Sequence, residues 1–219
     1  MARPEFELVF ARYAEATAFL DRWPHAAVIY NKGENDFGSP HPVVRLPNVG
    51  MESHTYLHHC AARYDDLAEV TLFLCGSWTK RPENVLLPLE RYAVRPLAAA
   101  PAITAARYHS DDGWPGRVQH WGRWERMLGA GEIRPSPYTL GEWWRRVIGG
   151  PPPKTLYYIP GATFSVSREH IRRRPRAWYA ALAEFFAQHQ YPEEVHYIER
   201  MWLHVFRAGG RWDVDLGQV

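Results

Sequence analysis

The sequence predicts an α/β fold: a single domain with a mostly parallel sheet flanked by helices. Three observations predict it. Apolar runs of strand length alternate with amphipathic stretches of helical period at both ends of the chain. The 219 residues are enough to bury one core without a second domain or a disulfide framework. Hydrophobic residues make up 46% and charged residues 23%, the balance of an ordinary globular chain rather than a disordered one.

Phe6 to Ala11 reads as the first strand, Thr17 to Trp23 as a short amphipathic helix, and Ala26 to Tyr30 as a second strand closed by Asn31-Lys32-Gly33. Turn formers without a helical period make 34–47 a loop. A helix is expected from Gly50 to Tyr64, with Met51, Tyr56, Leu57 and Cys60 as apolar contacts, followed by a third strand at Val70 to Cys75. The stretch 76–153 reads as an irregular insertion rich in Pro, Gly, Trp and Arg, relieved by one helix over Leu140 to Ile148. Thr155 to Ile159 and Thr163 to Val166 read as strands. Ser167 suits an N-cap for a helix that Pro175 interrupts or restarts, with Trp178, Leu182, Phe185 and Phe186 facing inward. Glu193 to Phe206 makes the last amphipathic helix.

Composition narrows the functional classes. A net charge of +2 does not advertise nucleic-acid binding, although Arg168, Arg172, Arg173, Arg174 and Arg176 crowd into nine residues. No apolar run approaches the roughly 20 residues that span a bilayer, and no leader pattern opens the chain, so no membrane association and a cytoplasmic location are expected. The two cysteines, Cys60 and Cys75, form no CxxC pair and read as buried thiols. No GxGxxG follows the first strand, and neither GxxxxGK[ST] nor GxSxG occurs, which argues against dinucleotide, P-loop and α/β-hydrolase chemistry. The Asp-x-Asp of many glycosyltransferases is also missing, except at Asp213-x-Asp215 in the tail.

Three clusters carry candidate chemistry. Asp65, Asp66 and Glu69 precede the third strand; paired carboxylates can grip a guanidinium or ammonium, or one can act as a base toward an amine. They also suit a solvated turn. Asn48 to His59 places Glu52 and Tyr56 on one helix face and His54 and His58 at i, i+4. With no third ligand in view, no metal is expected, and a helix N-terminus that meets a polar ligand through Glu52 is weighed against simple capping. In the last helix His196 and Glu199 lie three apart, as an acid/base pair would, or Glu199 pairs with an arginine. The arginine cluster is either a solvated face or a phosphate contact.

Ala11-Arg12-Tyr13-x-Glu15, Tyr30-Asn31-Lys32-Gly33, Leu46-Pro47-Asn48-Val49-Gly50-x-Glu52-Ser53-His54-Thr55-Tyr56-Leu57, Tyr64-Asp65-Asp66-Leu67, Pro160-Gly161-Ala162-x-Phe164-x-Val166-Ser167-Arg168 and Glu199-Arg200-x-Trp202 together resemble one widespread fungal and bacterial family, the arginine-containing cyclodipeptide synthases. The resemblance implies an aminoacyl-tRNA-dependent synthase that joins arginine to a second amino acid as a diketopiperazine, with no cofactor. Arginyl-tRNA and a second aminoacyl-tRNA are the implied partners. Asp65, Asp66 and Glu69 match the family's DDxxE motif and would be catalytic with Glu199. Substrate contacts are implied at Arg12, Tyr13, Asn31, Lys32, Asn48, Glu52, Ser53, Tyr56 and His196, and tRNA contacts at Arg168, Arg172, Arg173, Arg174 and Arg176. The layout also resembles a small GT-A-type glycosyltransferase fold, so transfer from a sugar nucleotide is the competing expectation; there Glu199 or Asp66 would deprotonate a sugar hydroxyl. A non-catalytic binding domain is the third. Oligomeric state and the second amino acid are left open.

Overall fold

Strand β1, Phe6–Arg12, is buried from Glu7 onward, which is why Leu8-Val9-Phe10-Ala11 is a continuous apolar run without alternation. It is the centre of a five-stranded sheet in a computed structural model that describes residues 4–80, 106–158 and 161–207. Beside β1 lie β2, Ala26–Asn31, and β4, Val70–Cys75, both parallel to it. The outer strand β3, Val43–Arg45, continues the parallel pairing from β2, and β7, Phe164–Ser167, closes the other edge antiparallel to β4. The order is therefore β3-β2-β1-β4-β7. This is the mostly parallel α/β sheet that the sequence predicts, in a Rossmann- or GT-A-like layout.

Period two divides the core between the sheet faces. Val9, Ala11, Val28, Tyr30 and Phe73 join the larger cluster with helices α1, Met51–Ala62, α3, Leu140–Val147, α5, Arg176–Phe186, and α6, Glu194–Arg207. Leu8, Phe10, Ile29, Leu72 and Leu74 point the other way, onto Leu20 and Trp23. The helix expected over Thr17 to Trp23 is a 3-10 turn, Ala18–Arg22: Pro24 follows at once, and Leu20 is its one buried residue.

The stretch expected as a loop at 34–47 contains β3. Its three residues are all exposed and pair on one side, so no apolar pattern betrays the strand. The irregular middle holds α2, Arg123–Gly129, and β5, Ala106–His109, which pairs antiparallel with β6, Thr155–Tyr158, in a second small sheet. Residues 81–105 of the expected insertion, Ile159 of the expected strand and the tail with Asp213 and Asp215 lie outside the described residues.

Elsewhere the local signals act as read. The Ser167 side chain accepts from the His170 amide and caps the single turn α4, Arg168–Ile171. Pro175 then stands at the N-cap of α5, whose Trp178, Leu182, Phe185 and Phe186 are buried. Helix α3 opens with a capping box between Thr139 and Glu142. Gly50, at φ +56°, admits α1 beside α5, because a Cβ there would lie 2.7 Å from Phe186 Cβ. Cys60 and Cys75 are buried and form no disulfide.

Candidate functional site

The chain adds β2 on one side of β1 and later β4 on the other, so the loops leaving the carboxyl ends of β1 and β4 part at a switch point. In open α/β sheets that crevice is where ligands bind. Here Glu15, just after β1, receives the Tyr13 and Ala14 amides at 2.8 and 3.1 Å and lies against Gly76, just after β4. A Cβ at position 76 would be 2.4 Å from Glu15 Cδ, so any larger residue there would push that carboxylate aside.

Buried cations hold this rim together. Arg12, at the end of β1, donates from Nε to the Glu15 carbonyl at 2.8 Å and from Nη1 to Asn31 Oδ1 at 2.8 Å, and stacks over Phe37. Asn31, at the end of β2, also accepts from the Gly33 amide. Lys32 donates to the Val49 carbonyl at 2.6 Å and to the Met51 carbonyl, tying the loop after β2 to the start of α1. Burial lowers its pKa to about 7, opposed by the nearby Glu52 carboxylate. Tyr13 is exposed, Asn48 and Glu52 are partly buried, and the fully buried Ser53 hydroxyl has no partner.

A second wall comes from the segment before β7. The Gly161 amide donates to Glu199 Oε1 at 2.5 Å, its carbonyl accepts from the Cys75 thiol at 2.9 Å, and the Tyr56 hydroxyl donates to the Ala162 carbonyl at 2.9 Å. Gly161 and Ala162 both have positive φ, +82° and +50°. Cys75 Sγ further contacts Ser77 Oγ at 3.2 Å and Thr163 Oγ1 at 3.6 Å. Glu199 Oε2 lies 3.6 Å from Arg200 Nη1.

The expected substrate residues from Arg12 to Tyr56 and the expected catalytic Glu199 thus gather at the carboxyl ends of the strands. His196 does not pair with Glu199. It turns to the His120 and Trp124 rings, at 4.8 and 4.9 Å between centroids. Burial, then His120 and Arg200, pull its pKa down to about 3, so it stays neutral. His54 and His58 stack at 6.1 Å, with His54 lowered to about 4 by burial. Among the described residues no group of three or more His, Cys, Asp or Glu could hold a metal ion.

Asp65, Asp66 and Glu69 stand at the other end, before β4 begins. A six-residue strand separates them from Cys75, about 20 Å at 3.3 Å per residue. All three are exposed and face arginines: Asp65 with Arg176, Asp66 with Arg63 at 2.8 Å, and Glu69 with Arg168. Arg173 pairs with Glu169 at 2.9 Å, and Arg172 Nη2 donates to the Tyr64 carbonyl at 3.1 Å. Arg174 is buried against Trp178 and donates to the Val205 carbonyl. Two arginines of the cluster, Arg168 and Arg176, thus pair with acids of the DDxxE run.

Sequence reasoning gave no role to Glu15, Cys75, Gly161 or Arg200. The signal for Glu15, Gly161 and Arg200 was their place in the quoted segments; Cys75 becomes a neighbour of the site only when β1 and β4 pair.

No helix among the described residues is long and apolar enough to cross a membrane. No curated protein and no solved structure matches the chain. The family model that matches is described as a protein of unknown function, DUF3431. That finding corrects the resemblance drawn from the quoted segments, because this family is not a cyclodipeptide synthase family. The match extends over residues 8–212, and the chain belongs to the DUF3431 family.

Proposed function

We propose that this chain is a glycosyl-transferring enzyme that moves a sugar from a sugar nucleotide to a hydroxyl acceptor at the carboxyl ends of β1 and β4. The observation that carries the reading is the Glu199 carboxylate, fixed by the Gly161 amide beside the end of β4. The GT-A-like strand order adds a fold-level analogy. In this reading Glu199 Oε2 takes the proton of the acceptor hydroxyl as its oxygen bonds to the anomeric carbon. The bond from that carbon to the diphosphate breaks, and its electron pair leaves on phosphate. A positioned base of this kind contributes about 10²–10⁴ in rate. Arg12 and Lys32 act indirectly, by holding the loops that shape the crevice.

Synthesis of a cyclic dipeptide from aminoacyl-tRNA, the other expectation from the sequence, asks Asp65, Asp66 and Glu69 to receive an amine, and these exposed acids stand at the opposite end of β4 from Glu199. One experiment reads both. Purified chain is incubated with a panel of sugar nucleotides while nucleoside diphosphate release is followed, and extracts of the expressing host are searched by mass spectrometry for a new diketopiperazine. Consumption of a donor, lost in Glu199→Gln, is expected. If no donor is consumed, glycosyl transfer is wrong; a diketopiperazine lost in Asp65→Asn with Asp66→Asn then assigns the synthase reaction instead.

A further inference from the structure

A transferase without an Asp-x-Asp after β4, where Cys75-Gly76-Ser77 stand, needs a protein cation for the charge that grows on its leaving group. Most cations on this rim are committed. Arg12 and Lys32 donate to backbone carbonyls and to Asn31, and Arg45 holds the Gly33 carbonyl and Asp36. Arg200 is different. It is buried on α6 beside Glu199, and its Nη1 donates to the His196 carbonyl at 2.6 Å and lies 3.6 Å from Glu199 Oε2. Nε is sealed from solvent without a hydrogen-bond partner.

The guanidinium is held in place by aromatic rings. Tyr108 on β5 and Tyr158 on β6 are diagonal neighbours on one face of the small sheet, and their ring centroids lie 5.3 and 5.1 Å from Arg200 Cζ. Trp114 stacks on Tyr108 at 4.7 Å and is anchored by its indole N–H on the Pro153 carbonyl. The side-on edge of a guanidinium, Nε with Nη2, matches two oxygens of one phosphate, and here Nε of that edge has no hydrogen-bond partner among the described residues.

We propose that Arg200 binds the diphosphate of the donor, its Nε and Nη2 edge taking phosphate oxygens while Tyr108, backed by Trp114, holds its plane. The proposal rests on the glycosyl-transfer reading for the identity of the ligand. The partly buried Tyr158, at the end of β6, swings aside to admit it. During transfer the electron pair of the broken sugar–oxygen bond passes to the phosphate that Arg200 contacts, while the acceptor proton goes to Glu199. Glu199 Oε2 meets Arg200 at Nη1, 3.6 Å away, so base and anion site adjoin while the Nε edge is left to the phosphate.

The test uses inorganic pyrophosphate, which needs neither a nucleobase nor turnover. Calorimetric titration is made on the full chain, on Arg200→Lys, which keeps the charge and loses the fork, and on Glu199→Gln. Wild type is expected to bind, Arg200→Lys to bind at least about tenfold more weakly, and Glu199→Gln to bind at least as tightly as wild type. In wild type the Arg200 Nε–H resonance is expected to move downfield on saturation, a readout that no variant's folding affects. Absence of binding, equal binding by folded Arg200→Lys, or an unmoved Nε–H resonance overturns the proposal. Arg200-dependent pyrophosphate binding without turnover of any sugar nucleotide keeps the anion site and removes the transferase reading. Turnover with an unchanged donor KM in Arg200→Lys does the reverse.

Discussion

Gly161 links Glu199 to the end of the central sheet: its amide donates to Glu199 Oε1 at 2.5 Å, and its carbonyl accepts the Cys75 thiol. One residue with φ +82° thereby fixes a carboxylate of α6 through a backbone bond and places it beside the switch point of β1 and β4.

Glu199→Gln keeps an oxygen for the Gly161 amide and removes the base. The expected outcome is a loss in kcat of about 10²–10⁴ with the thermal midpoint nearly unchanged. Steady-state turnover of the donor found in the panel, together with circular dichroism melting, checks it.

Tyr56→Phe removes the hydroxyl that donates to the buried Ala162 carbonyl and so loosens the same segment from α1. An acceptor left unpaired inside the core costs about 1–3 kcal/mol. Urea unfolding should show that loss at an unchanged m-value; an unaltered midpoint would mean that the Ala162 carbonyl finds another donor.

Gly50→Ala puts a side chain at φ +56° and 2.7 Å from both the Cβ and the carbonyl oxygen of Phe186. Strain at a left-handed residue is about 1–3 kcal/mol, and the overlap adds to it. A destabilisation of at least about 2 kcal/mol is expected in the same urea assay.

Acid should unfold the chain early. Burial holds His196 at about 3 and His54 at about 4. Their unfolded values are near 6.5, so between pH 6.5 and 4 the unfolded state binds protons that the folded state refuses. Stability is then fully present above 6.5 and falls as pH drops, by up to about 1.4 kcal/mol per pH unit for each group. Urea titrations at stepped pH should show this slope, reduced by about one proton in His196→Gln.

The elements legible in the sequence were those whose burial is local in the chain. β1, β2 and β4 announce themselves as apolar runs because both of their faces are covered, and α5 by its Trp178, Leu182, Phe185 and Phe186 stripe. β3 was hidden because an exposed edge strand has no apolar face, and the turn at Ala18–Arg22 took a helical pattern that Pro24 cuts short. The site was half legible for the same reason. Arg12, Asn31, Lys32 and Tyr56 stood in recognisable segments, yet Val49 and Ala162, which accept from Lys32 and Tyr56, become their neighbours only through tertiary packing. The Asp65-Asp66-x-x-Glu69 run was conspicuous as a motif, whereas its arginine partners Arg168 and Arg176 are about 100 residues away in sequence.

The most direct measurement compares donor turnover in Glu199→Gln with turnover in the double variant Asp65→Asn, Asp66→Asn, at matched folded concentration. The carboxyl-end site predicts that Glu199→Gln is nearly inactive, whereas the double variant stays within about twofold of wild type, since exposed ion pairs contribute about 0–1 kcal/mol each. Loss of activity in the double variant with Glu199→Gln still active would contradict the account and move the chemistry to the opposite end of β4.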